Sequence, residues 1–338
     1  MKKIEMVDLK TQYTKIKTEI DTSINEVFKS AAFVKGEKVK EFEKNLAHFL
    51  DVKHVISVGN GTDALQVALM SLDLKVGDEV IVPDFTFIAS AEVVALLGLV
   101  PVFVDVDYNT FNIDIASLKK AISPKTKVII PVHLFGQAAN MEAIINVAME
   151  YHLYVIEDNA QAIGADYIFN DGKTRKKLGT IGDIGCTSFF PSKNLGCYGD
   201  GGAVMTNNDT LADKIRTIAN HGMKTRYYHS ILGLNSRLDT IQAAILDIKL
   251  KYLKEYCNAR YEAAMYYNEA FANMKNMIIT PVIAKFSTHV FHQYTLKIKD
   301  GKRNDLKTYL ESKNIPSMIY YPVPLHKQEV FKFSAHIG

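Results

Sequence analysis

The sequence predicts an α/β protein built on a mostly parallel sheet, followed by a smaller C-terminal α+β domain. Three observations carry this. Five short apolar runs alternate with segments of helical period over residues 54–158. From about residue 210 the pattern turns helical. One more strand-like run and one more helix-like run then close the chain.

The elements follow in order. The first ~50 residues read as a helical arm. The apolar runs are "HVISV" (54–58), "DEVIVP" (78–83), "PVFVDV" (101–106), "KVIIPVHL" (127–134) and "YVIED" (154–158). Between them Leu65, Ala68, Leu69 and Leu72 recur at helical spacing, and "IASAEVVALLG" and "NMEAIINVAMEY" behave alike. Alternation of this kind means βαβ units around buried parallel strands. "CTSFF" and "GGAVMT" also have strand composition. Pro191 to Asp200 between them are too few for a crossover helix and too rich in Gly and Pro to continue a strand. That pair should run antiparallel, making the sheet mixed and placing Lys193 on the joining loop. "LADKIRTIANHG" is then helical, and the long stretch from "LDTIQ" to "YYNEAF" exceeds ordinary helix length. It should link a large domain, residues 1–245, to a small one, residues 246–338. In the small domain "HQYTLKI" reads as a strand and "RNDLKTYLESKN" as a helix.

Composition narrows the function classes. The 338 residues carry 40 basic and 37 acidic side chains, a net charge of +3. The densest basic patch, "DGKTRKK" (171–177), lies between turn signals and reads as a solvated loop, so no nucleic-acid partner is expected. Cys186, Cys197 and Cys257 lack the number and spacing of a disulfide framework or zinc site, and no metal is expected. "MKKIEMVDLK" has no apolar signal region. The longest apolar run, Val93 to Val104, is too short and broken to span a bilayer. A soluble cytoplasmic protein with no membrane partner is the expectation.

Three features fall at strand ends, where open α/β sheets bind ligands. In "SVGNGTDALQVAL" (57–69) a glycine turn leads into a helix that Thr62 could cap, leaving N–H groups for a phosphate. Gly59 and Gly61 could equally serve only the turn. In "YVIEDNAQAIGA" (154–165), alternation sends Glu157 and Asp158 to opposite faces. A carboxylate at the mouth of a buried strand is costly unless it meets a cation, although a turn-capping Asp is the commoner case. The third feature is Lys193, with Phe189, Phe190, Leu195 and Tyr198 nearby in sequence. An apolar pocket would lower its pKa and make it a nucleophile; on the surface it would be a plain solvated charge. A phosphate site, a carboxylate for a ring nitrogen and a desolvated lysine together match the needs of pyridoxal 5′-phosphate. "PDFTFIAS" (83–90) adds Phe87, either a stacking ring or ordinary core.

"GNGTDAL", "PDFTF", "IEDNAQ", "SFFPSKNLGCYGDGGA" and "GLNSRLDTIQAAIL" occur in an order that resembles the DegT/DnrJ/EryC1/StrS family of nucleotide-sugar aminotransferases. The resemblance covers nearly the whole chain. It implies the fold type I aminotransferase architecture, with a seven-stranded sheet. It implies that Lys193 forms the Schiff base and that Asp158 pairs with the pyridinium. Gln161 would contact the cofactor's 3-hydroxyl, Phe87 would stack on the ring, and Gly61, Thr62 and Ser188 would hold the phosphate. Asn235 would reach the phosphate from the other subunit of a homodimer. Arg237 would meet a substrate carboxylate, or else form an ion pair with Asp239 or a neighbouring acid. Glutamate is the implied donor, with the cofactor's pyridoxamine form as intermediate, and a nucleotide-linked keto sugar is the acceptor. "MIYYPVPLH" (318–326), with Tyr320, Tyr321 and His326, matches the part that faces the sugar. Relatives that take uronic acids tend to have a histidine where Tyr320 stands. A neutral phenol therefore points to a dTDP-linked 3-keto-6-deoxyhexose of surface-glycan synthesis. A UDP-linked 3-keto-2-acetamido uronic acid and a 4-keto sugar are the alternatives. The family's sugar 3-dehydratases replace the lysine with histidine, and nothing favours a non-catalytic scaffold. Family members continue past the segment matching "YYPVPLHKQ", so the small domain is expected to be incomplete.

Overall fold

The computed structural model describes residues 4–332 and 336–337. Its main sheet holds seven strands, His54–Val58, Glu79–Pro83, Val100–Val104, Thr126–Ile129, Tyr154–Asp158, Ile184–Ser188 and Gly202–Thr206, with a two-residue strand His336–Ile337 at one edge. Only Gly202–Thr206 runs against the others. It pairs antiparallel with both Ile184–Ser188 and His54–Val58, as the short Lys193 loop requires. Successive residues of a strand face opposite layers. Val55, Ile81 and Val155 join one apolar layer with Leu246 and Leu253, while Ile56, Val82 and Ile156 join another with Leu65 and Val94. Both faces are thus covered, which explains why the strands read as continuous apolar runs.

The arm consists of two helices, Leu9–Ser30 and Glu37–Leu50. Its Ile16 and Ile20 pack on Ile245 and Ile248 of the long helix Thr240–Ala270. That helix runs across the 245/246 boundary expected from sequence and, beyond the arm, holds the Lys193 loop at two points and then residues 291 and 292. Gln242 Oε1 accepts from the Tyr198 N–H (2.8 Å), the Lys249 ammonium donates to the Gly196 carbonyl, and Arg260 donates to the carbonyls of Phe291 and His292 (3.3 and 3.2 Å). Lys249 is buried, which pushes its pKa down to about 8.

"HQYTLKI" departs from expectation. Only Lys297–Ile298 is strand, paired with Ile278–Ile279. The preceding residues turn their backbone groups elsewhere: Gln293 N–H donates to Phe135 O, and Arg260 takes the carbonyls of residues 291 and 292. Strand composition there serves packing against other elements. The basic stretch 171–177 also ends as a strand, Arg175–Lys177, paired with Asp166–Ile168, although Arg175 and Lys176 stay exposed. Among the described residues no helix is long and apolar enough to cross a membrane, and no group of His, Cys, Asp and Glu is arranged to hold a metal ion.

Candidate active site

The site is built at the carboxyl edge of the sheet, around the end of Tyr154–Asp158. Asp158 is 6% exposed; it accepts from Ser90 Oγ (2.8 Å) and from the Ala160 N–H (3.1 Å). Among the described residues no cation closes an ion pair with it. A buried carboxylate held by two neutral donors costs several kcal/mol unless a positive charge arrives. Glu157, the next residue back, points to the other face and is fully buried. The Ala139 N–H donates to His133 Nδ1 (3.1 Å), so the ring proton sits on Nε2 and is given to Glu157 (2.8 Å). The N–H groups of Gly179, Ile181 and Gly182 donate to the same carboxylate. Burial alone would raise the Glu157 pKa, but these donors hold it below the ordinary value. The end of the strand is thereby pinned from behind.

Lys193 lies on the loop between Ile184–Ser188 and Gly202–Thr206, above the fully buried Phe189 and Leu195. Burial lowers its pKa, with the charge of Asp158 pulling the other way. The structure gives its ammonium no hydrogen bond among the described residues. His292 lies beside it. Burial, then the charges of Lys193 and Arg260, keep that ring far below its ordinary pKa, and its Nδ1 has no partner among the described residues. An amine poised this way can act as a nucleophile and carry protons.

The glycine turn differs from expectation in one respect. Asn60, not Thr62, caps the helix Gly61–Met70, accepting from the Asp63 N–H (2.8 Å). Gly61 and Thr62 therefore lie inside the first turn, where their N–H groups lack a backbone acceptor among the described residues. That serves an anion better than a capping Thr62 would. A Cβ on Gly61 would come within 2.6 Å of Ser188 Cβ, and one on Gly202 within 2.3 Å of the Asn60 carbonyl. Three separate chain segments therefore meet at this cradle, and glycine is what lets them. Ser236, unremarked in the sequence, braces the turn: its Oγ accepts from the Gly59 N–H (2.9 Å) and donates to Asp63 (2.5 Å).

Gln161 accepts from the Phe135 N–H (2.7 Å) and donates to the Tyr321 hydroxyl (3.2 Å), which draws the C-terminal segment to Asp158. Burial first, with Asp158 and Tyr320 adding to it and Gln161 opposing, pushes Tyr321 up to about 12. Tyr320 and Tyr321 pack with Phe85, Phe111 and Phe135 in one aromatic wall. Phe87 is not core: it is 56% exposed, three residues before Ser90 at the same strand end. His326 is fixed by Asp84, which takes both its N–H (2.8 Å) and its Nδ1 (2.5 Å).

Thus Lys193, Asp158, Gln161, Tyr321, Gly61, Thr62 and Ser188 share one edge of the sheet. Asn235 and Arg237 are given no contact with these side chains. Asn235 is exposed, and Arg237 lines a separate cavity of ≈ 430 Å³. The ion pair of Arg237 with Asp239 is not formed. Sequence reasoning missed Ser90, Ser236, His133 and Lys249. Ser90 and Ser236 stand inside motifs already singled out, but each takes its partner from a distant segment. The residues fit pyridoxal 5′-phosphate: an anion cradle at Gly61, Thr62 and Ser188, a carboxylate with no ion pair among the described residues, and a lysine whose ammonium has no hydrogen bond among them.

The model for the DegT/DnrJ/EryC1/StrS aminotransferase family matches residues 14–336. The chain is 47% identical over 97% of its length to a Geobacillus stearothermophilus protein called a pleiotropic regulatory protein, covering 86% of it. It is 47% identical over 96% of its length to a Pseudomonas aeruginosa UDP-2-acetamido-2-deoxy-3-oxo-D-glucuronate aminotransferase, covering 88%. It is 40% identical over 97% to an Aneurinibacillus thermoaerophilus dTDP-3-amino-3,6-dideoxy-alpha-D-galactopyranose transaminase, covering 88%. Among solved structures, Streptomyces venezuelae DesV in complex with a ketimine intermediate superposes with a TM-score of 0.94 at 36% identity, over 99% of this chain and 88% of that one. A Bacillus subtilis structure with bound cofactor PMP gives 0.88 at 34%, over 97% and 74%.

Proposed function

The chain belongs to the DegT/DnrJ/EryC1/StrS aminotransferase family, and from that premise we propose that it moves an amino group from glutamate to the keto carbon of a nucleotide-linked sugar. One observation carries the reading: a buried carboxylate that closes no ion pair among the described residues, Asp158, lies within electrostatic reach of a desolvated lysine, Lys193, at the sheet edge that also carries an anion cradle. Bound pyridoxal 5′-phosphate supplies an electron sink and an aldehyde that can hold an amine. Gly61, Thr62 and Ser188 would hold its phosphate. Asp158, steadied by Ser90, would offer its charge to the ring nitrogen. Gln161 would meet the 3-hydroxyl, and Phe87 would offer its ring for stacking. Lys193 would supply the amine that the aldehyde can hold, and would carry a proton at Nζ. Residues 1–245 form the cofactor domain of a cytoplasmic enzyme, and the small domain begins at 246, with the chain returning to the main sheet at its edge strand His336–Ile337.

The enzyme works as a homodimer with shared sites. Asn235 reaches the cofactor phosphate held by the second subunit. Its exposure supports this, as does the exposed apolar strip just before it, Tyr227, Tyr228 and Leu232, at 76, 74 and 90%. Mixing Lys193→Ala protomers with an Asn235→Ala/Arg237→Ala variant, each inactive alone, should restore part of the activity. No recovery after proven subunit exchange refutes the shared site.

For the sugar, Tyr320 favours an uncharged dTDP-linked 3-keto-6-deoxyhexose, because its phenol offers a hydrogen bond but no charge. A UDP-linked 3-keto-2-acetamido uronic acid is the second reading, favoured by the 47% identity to the Pseudomonas aeruginosa UDP-2-acetamido-2-deoxy-3-oxo-D-glucuronate aminotransferase. Running the reaction in reverse decides. The cofactor-loaded enzyme is offered nucleotide amino sugars while the visible band of the bound cofactor is followed. Loss of the band with dTDP-linked 3-amino-6-deoxyhexoses is expected. A response to UDP-linked amino uronic acids alone refutes the Tyr320 argument. A band that no amino donor changes, glutamate included, would make the protein a cofactor-binding scaffold.

A further inference from the structure

Two cations share one cavity with no ion pair among the described residues. The wall of the ≈ 430 Å³ cavity includes Lys35, Glu43, Arg216, Asn220 and Arg237. The other cations lining it are neutralised: Arg216 by Glu43 at 2.9 Å, Lys40 by Glu37 at 2.8 Å and Lys224 by Asp213 at 3.7 Å. Lys35 donates only to a neutral acceptor, Asn220 Oδ1 (2.6 Å), and Arg237 forms no ion pair among the described residues. Partial burial, then the charge of Arg237, holds the Lys35 ammonium below its ordinary pKa, so the two charges feel each other.

The backbone is arranged to keep them together. Val34 bridges to Asp239, and the Thr240 N–H donates to the Phe33 carbonyl (3.0 Å). The chain entering Lys35 therefore lies along the chain leaving Arg237. Lys35 itself adopts φ 55°, the left-handed region that is costly for a residue with a Cβ. Gly36 follows because a Cβ there would lie 2.6 Å from the Ala32 carbonyl. Asn220, which holds the ammonium, bridges in turn to Asn235. A strained residue, an uncompensated like-charge pair and an open cavity converge on one requirement, an anion.

We propose that Lys35 and Arg237 hold the diphosphate of the nucleotide-linked substrate. The inference rests on the nucleotide-sugar reading above and extends it to Lys35. Two fixed positive charges match the two negative charges of a diphosphate ester, where one carboxylate would leave a charge over. The flat fork of arginine suits two phosphate oxygens, and lysine adds a point charge. The pair lies along the same segment as Asn235, so it serves the site to which Asn235 belongs.

The test measures binding of UDP, dTDP, uridine and glutamate to the cofactor-loaded dimer by calorimetry, for wild type, Lys35→Met, Lys35→Arg and Arg237→Met. UDP and dTDP should bind about tenfold more weakly to each methionine variant, the loss of one charged contact. Lys35→Arg should recover most of that loss. Uridine, which has no phosphate, should bind wild type and Lys35→Met alike. UDP affinity unchanged in Lys35→Met overturns the proposal. So does an equal loss for UDP and uridine, or a loss confined to glutamate. If wild type binds neither UDP nor dTDP, the nucleotide-sugar reading falls as well. If wild type binds them and responds to glutamate while Lys35→Met is unaffected, only the present inference falls.

Discussion

Replacing Lys193 with alanine is expected to lower turnover by about 10³-fold or more, because one change removes both the nucleophile and the group that carries the proton. The fold should survive. Lys193 is a loop residue whose ammonium makes no hydrogen bond among the described residues, and burial already disfavours its charge. The melting temperature should thus stay near wild type while the glutamate-dependent change in the cofactor's visible band disappears. The cradle at Gly61 and Ser188 is untouched, so pyridoxal 5′-phosphate should still bind, now without a covalent link. Wild-type transamination in this variant would show that the nucleophile lies elsewhere.

Replacing Asp158 with asparagine should lower kcat by about 10²- to 10⁴-fold, the range for losing a positioned charge or proton-transfer group. Shape is nearly conserved. Asparagine can keep its oxygen toward the Ala160 N–H and turn its amide toward Ser90, whose hydroxyl can accept as well as donate. Negative charge opposite the cofactor's ring nitrogen is what disappears. The measurement is single-turnover reaction of the loaded variant with glutamate, alongside its melting curve. An unchanged rate would move the nitrogen's partner to another residue.

The sheet was legible because its chemistry is local. Strand runs such as "HVISV" and "YVIED" are buried on both faces, so their composition alone marks them. Lys193 and Asp158 were legible because each breaks the expectation for its surroundings, a charge among apolar neighbours. Other features depend on partners far away in the chain. Ser90 meets Asp158 across 68 residues, and Ser236 meets Asp63 across 173. Lys35 finds Asn220 across 185. No spacing rule reaches that far. The misread cap was a local competition: Asn60 and Thr62 are both good capping residues, and only the backbone decides which one stands outside the helix. "HQYTLKI" failed for the opposite reason, since composition cannot say whether a strand-like segment finds another strand to pair with.

The helix Thr240–Ala270 has a consequence for how this protein can change over generations. At about 1.5 Å per residue its 31 residues make a rod of about 46 Å. Its start adjoins the cavity of Arg237, Lys249 about a third of the way along supports the loop of Lys193, and Arg260 about two thirds along grips residues 291 and 292. One inserted residue would rotate everything beyond it by about 100°. Inserted before Lys249, it would swing that ammonium off the Gly196 carbonyl and Arg260 off its two carbonyls together. Length variation should therefore be absent from this helix and tolerated in the turns on either side. The rod acts as a ruler, and lineages that diverge in substrate must do so by exchanging side chains around it.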